Sequence, residues 1–122
     1  MLTLPPSVRV FICLIPTDMR KSFDALAALV EGVIRENPQS GHLFAFVNRF
    51  GDRIKLLYWD RDGYALWYKR LEAGTFQTTR ITGDGGAEIT MSDLSLMLGG
   101  IDISSVKKRK RYSRSARIIA MR

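Results

Sequence analysis

The sequence predicts an α+β fold: a single small domain with a mainly antiparallel sheet, one long helix in its N-terminal half, a short helix in its C-terminal half and a basic C-terminal arm. Three observations predict it. Residues Met19 to Ile34 place apolar side chains at helical spacing, whereas Leu43 to Leu71 break into short aromatic and aliphatic runs separated by turn dipeptides. Beyond Asp102 the chain carries cations and no acid. At 122 residues and 13.8 kDa there is room for one core, assigned to residues 1–104, with residues 105–122 as a flexible basic arm.

The first element is read over Val8 to Ile15, where Val, Ile and Phe crowd together as in a strand covered on both faces. Cys13, the single cysteine, lies in this run and reads as a buried small hydrophobe. Thr17 and Asp18 offer side-chain oxygens to cap the helix that follows. Its apolar stripe is Phe23, Leu26, Ala27, Val30, Val33 and Ile34, and Asn37-Pro38 stops it because proline cannot continue the backbone ladder.

Gly51-Asp52 and Asp62-Gly63 then close two hairpins, giving a meander of three antiparallel strands. Alternation in the second of these strands sets Ile54, Leu56 and Tyr58 on one face and Arg53, Lys55, Leu57 and Trp59 on the other. In the third, Ala65, Trp67 and Lys69 alternate with Tyr64, Leu66, Tyr68 and Arg70. Residues 72–88 are polar, with Gly83, Asp84, Gly85 and Gly86 marking a loop, and Thr75 to Thr82 are open to a further short strand. Ser92 precedes Leu94, Met97 and Leu98, and Gly99-Gly100 ends this short helix.

Charge is the strongest functional signal. Eight of the 19 Lys and Arg follow Asp102, so residues 1–102 hold 11 cations against 12 acids, a net charge of −1. Lys107, Lys108, Arg109, Lys110 and Arg111, followed by Arg114, are the candidate nucleic-acid contacts, because a compact cationic run suits a repeating phosphate backbone. The alternative for this run is a solvated tail that only aids solubility. A second candidate set is Arg53, Lys55, Trp59, Trp67 and Lys69, with Arg49 and Arg70 beside it: aromatic rings stack on unpaired bases while cations hold phosphates. Cross-strand packing is the more usual role of such aromatics in strands and is favoured over stacking for them, and Trp, Tyr and Arg are also the residues of protein interfaces.

Other chemistries find little support. Asp52 and Asp62 sit beside turn glycines, where a short carboxylate bonds the local backbone, so no metal site is expected from them. His42, the only histidine, is read as structural, and with one Cys and one His there is no zinc set. No catalytic residues, cofactor or metal are assigned. The longest apolar run, Val10 to Ile15, is far short of a membrane span, and the N-terminus lacks a basic leader and a cleavage pattern, which predicts a cytoplasmic protein without membrane contact.

The strings Thr17-Asp18-Met19-Arg20-Lys21-Ser22-Phe23-Asp24, Leu26-Ala27, Asn48-Arg49, Gly51 to Asp60 and Leu66 to Glu72 carry a family resemblance, with Leu57-Tyr58-Trp59-Asp60 and Leu66-Trp67-Tyr68-Lys69-Arg70 the most specific of them. Over roughly residues 3 to 112 the chain resembles the small TnpB accessory protein, the second open reading frame product, of bacterial insertion sequences of the family numbered 66. The unrelated RNA-guided nucleases that share the label TnpB are far longer. The resemblance implies a role in transposition beside a separate transposase and other element-encoded proteins, and it carries no catalytic residues. The expected function is therefore a non-enzymatic accessory factor that binds DNA. Its alternatives are an adaptor that docks the transposase through the aromatic sheet and, more remotely, a metal-dependent nuclease. Apolar residues on the meander also leave a self-associating surface open.

Overall fold

The computed structural model describes residues 5, 7–76, 83–99, 101, 102, 107 and 108. In chain order its elements are β1 (Val10–Cys13), α1 (Phe23–Leu29) continued by a π-helical turn (Val30–Ile34), β2 (Leu43–Val47), β3 (Arg53–Asp60), β4 (Gly63–Arg70), β5 (Gly86–Ile89), α2 (Met91–Leu98), β6 (Ile101–Asp102) and β7 (Lys107–Lys108). The first five strands form one mixed sheet in the order β4-β3-β2-β1-β5, and β6 pairs antiparallel with β7. The described residues form an α+β domain with two helices.

β1 and β2 are buried along nearly their whole length because helices cover both faces of the sheet. On one face, Leu26, Ala27, Val30 and Ile34 of α1 and its π-helical turn lie over Phe11, Cys13, Phe44, Phe46 and Leu57. On the other, Leu94 and Met97 of α2 lie over Val10, Ile12, Leu43, Ala45, Ile54, Leu56 and Ile89. Cys13 is buried, as an apolar neighbour would be. β1 and β2 pair in parallel, which requires a crossover between them, and α1 with its π-helical turn supplies it.

The meander forms as expected, with β2, β3 and β4 successively antiparallel. Its second turn is displaced by one residue: Arg61 and Asp62 make the loop, Arg61 takes the positive φ of 57°, and Gly63 already pairs with Asp60. Gly51 does supply the positive φ of the first turn, at 76°.

The predicted long helix is shorter and mixed. It starts at Phe23, is α-helical for 7 residues and then widens into a π turn of 5. The change falls on Val30, Gly32, Val33 and Ile34, which are weak α-formers. Arg35, left-handed at φ 65°, ends the helix two residues before the expected stop. Thr17 and Asp18 do not cap it: Ser22 holds the N-cap position without a side-chain bond, the Thr17 hydroxyl bonds the Ile15 carbonyl, and Asp18 receives Arg20.

α2 begins one residue before Ser92, at Met91. Its cap is Thr90, whose hydroxyl accepts the Asp93 N–H while the Asp93 carboxylate accepts the Thr90 N–H. β5 lies where a loop was expected. Gly86 and Ala87 look too weak for a strand, yet tertiary pairing with β1 holds them there. Of the stretch Thr75 to Thr82, Thr75 and Phe76 are not in a strand, and the rest lies outside the described residues. The same is true of residues 105, 106 and 109–122 of the predicted arm, among them Arg109, Lys110, Arg111 and Arg114. The backbone of Lys107 and Lys108 runs antiparallel to Ile101 and Asp102, beside the residues that precede it.

Candidate nucleic-acid interface

Register divides the second candidate set between the two faces of the sheet. Arg53, Lys55 and Trp59 pair with Arg70, Tyr68 and Tyr64 on the α1 face. Lys69 and Trp67 pair with Ile54 and Leu56 on the α2 face. The five therefore cannot line one continuous track.

Their surroundings differ as well. Lys55 is buried, and its ammonium donates to the carbonyls of Met19 (2.7 Å) and Lys21 (2.8 Å) while lying 4.8 Å from the Tyr68 ring centre. Its charge is thereby committed to holding the approach to α1. Trp59 is half-buried and meets Tyr64 edge to face, with ring centres 5.0 Å apart, and Trp67 packs against the core beneath α2. Lys69 is exposed. Arg53 donates from its guanidinium to the Tyr68 hydroxyl at 3.1 Å.

A groove of about 760 Å³ lies at the carboxyl ends of the parallel pair β1 and β2. The loop after β1 forms one wall with Pro16 to Arg20, and the turn after β2 forms the other with Asn48, Arg49, Phe50 and Asp52, while Arg53 and Tyr68 close the side. Sequence reasoning had singled out Arg49 and Arg53 but missed Arg20, Phe50 and Tyr68. The one local signal for Phe50 is its place between a cation and a turn glycine, a poor position for a core residue; its ring is 78% exposed.

Electrostatics in the groove are partly internal. Asp18 accepts Arg20 at 2.6 Å, and this guanidinium together with the Arg20 N–H holds the Asp18 carboxyl down at about 2. Asp52 accepts the Asn48 amide at 2.7 Å, a side-chain partner where a backbone one was expected, and the Asn48 carbonyl oxygen accepts the Arg53 N–H. Arg49 makes no hydrogen bond or ion pair with any described residue. At the opposite end of β1, Arg9 grips Glu88 with two N–H groups and lowers its pKa, and His42 Nδ1 accepts the Arg9 N–H, a structural role as expected.

Among the described residues no three His, Cys, Asp or Glu side chains gather where they could hold a metal ion, and no helix is long and apolar enough to cross a membrane.

The architecture defines a small α+β protein with a basic, aromatic-rimmed groove and a polycationic C-terminal stretch. Residues 8–108 match the family of IS66 Orf2-like proteins, TnpB_IS66, and the chain belongs to that family. It is 40% identical over 102 residues to the uncharacterized protein y4hO of Sinorhizobium fredii, covering 84% of this chain and 88% of that protein. To the uncharacterized protein y4jC of the same organism it is 31% identical over 102 residues, covering 84% and 86%. No solved structure matches the chain. Membership makes this a transposition-associated accessory protein of an insertion sequence.

Proposed function

We propose that the protein is a non-enzymatic accessory factor that binds DNA through Lys107, Lys108, Arg109, Lys110, Arg111 and Arg114 and assists a separate transposase on the element, in the cytoplasm. The observation that carries this reading is the charge distribution: eight cations and no acid after Asp102, on a body with a net charge of −1. A body without excess charge gives duplex phosphates little reason to approach, so the basic stretch supplies the attraction. Phosphate contacts of this kind position a protein without reading bases, which fits a helper that leaves site choice to its partner.

The test keeps the full chain and replaces Lys107, Lys108, Arg109, Lys110 and Arg111 with Gln. Duplex affinity at about 100 mM salt is expected to fall by two orders of magnitude or more, since five phosphate contacts are removed. Undiminished affinity would overturn the DNA-binding reading. Capture of the transposase by such a variant would then favour the adaptor.

A further inference from the structure

We propose that the groove between the β1–α1 loop and the β2–β3 turn binds an unpaired nucleotide of single-stranded DNA, with Phe50 and Tyr68 as base platforms and Arg49 and Arg53 on the phosphates. The site is lined by residues 16–20, 48–50, 52, 53 and 68, and the proposal does not rest on the C-terminal cations.

Phe50 stands at the tip of the β2–β3 turn with 78% of its surface exposed, and Tyr68 is 46% exposed across the groove. Exposed rings of this kind gain from stacking on a flat partner, and every base offers one. Arg49, the residue beside Phe50, has no partner among the described residues, so its full set of donors is available. Arg53 is steered by the Tyr68 hydroxyl, which uses one nitrogen and leaves the rest of the guanidinium for an anion. Three guanidinium groups line the groove against two carboxylates, and both carboxylates are already taken, Asp18 by Arg20 and Asp52 by Asn48.

The volume of about 760 Å³ falls in the range of sites that hold small ligands. Bases in a duplex hide their faces in the stack, so the rings select a single strand. A cation and an aromatic ring also suit a protein partner. The chain-adjacent pairing of a free guanidinium with an exposed ring favours the nucleotide, whose phosphate and base are one sugar apart.

The experiment measures binding of a fluorescent 12-residue oligothymidylate and of a duplex of equal length to the full chain, its Arg49→Gln/Phe50→Ala variant and the variant neutralised at 107–111. Both groove residues are exposed and make no internal bonds, so the variant is expected to melt within about 2 °C of the parent. Single-strand affinity should weaken about tenfold or more, the loss of one stacked base, while duplex affinity stays within about twofold. The same groove substitutions should weaken single-strand binding in the background neutralised at 107–111, which separates this site from the proposed C-terminal grip. An oligomer carrying 5-iododeoxyuridine should crosslink under ultraviolet light to the peptides holding Phe50 or Tyr68. Unchanged single-strand affinity would overturn the proposal. Equal loss on both DNAs, or displacement of the oligomer by equimolar free thymidine monophosphate, would do the same. So would loss of transposase capture by the groove variant with oligomer binding intact, which would mark a protein-docking surface.

Discussion

Lys55 is the one buried charged side chain among the described residues, and its two carbonyl partners lie in the segment that precedes α1. A buried ammonium persists only where its donors are satisfied. Lys55→Met keeps the length and removes the donors, leaving the Met19 and Lys21 carbonyls unmatched. That should cost about 2 kcal/mol and lower Tm by roughly 5–10 °C, with duplex affinity unaltered; calorimetry and a DNA titration check both halves.

Asp18 makes the opposite case, an exposed carboxylate perturbed chiefly by Arg20. Its side-chain and backbone bonds from Arg20 depress its folded pKa to about 2. The pair's contribution is therefore complete above the ordinary carboxylate value of about 4 and fades as pH falls through about 2. Carbon-detected NMR should find Asp18 titrating near 2 in the native chain, and Arg20→Gln should return it toward its ordinary value.

At the scale of elements, the sheet edge β5 depends on a glycine for space. A Cβ on Gly86 would stand 2.7 Å from Ile34 Cγ2 and 2.9 Å from Ile34 Cα, so the π-helical turn and β5 could not both stay in place. Gly86→Ala should destabilise the fold by about 1–3 kcal/mol. At Gly63 the same added carbon meets nothing within 4 Å, and Gly63→Ala should change stability by less than about 0.5 kcal/mol. Urea unfolding of the two variants tests the contrast.

Elements with a strong local signal were legible: β1 and the strands of the meander lie within the runs that predicted them, and α2 overlaps its run but begins at Met91, one residue before Ser92. The start of α1 was not, because Thr17 and Asp18 have the chemistry of caps but find partners in Ile15 and Arg20. β5 was hidden because Gly86-Ala87-Glu88-Ile89 has little intrinsic strand preference and gains it by pairing with β1.

For the whole molecule, the proposed DNA grip by a cationic stretch that follows a weakly charged body in sequence predicts how affinity would respond to salt. If the five residues 107–111 each neutralise one phosphate, the slope of log K against log salt on duplex DNA should be shallower by up to about 4.5 in the Gln variant, at about 0.9 for each contact. Arg53→Gln or Lys69→Gln alone should change that slope by less than about 1, because these residues stand on opposite faces and cannot act in one track. Isotherms at four or five salt concentrations give these slopes directly.

The α+β class, the helical stripe, the meander, the lopsided charge and the family are properties of local spacing and of particular strings, so the sequence by itself determined them. Tertiary structure decided the parallel pairing of β1 with β2, the strand made of Gly86 to Ile89, the division of Trp59 and Trp67 between two faces, and the groove that joins residues 16–20 to residues 48–53. Such features depend on which distant segments meet. That choice is made by the summed burial of both sheet faces, which no short window of sequence contains.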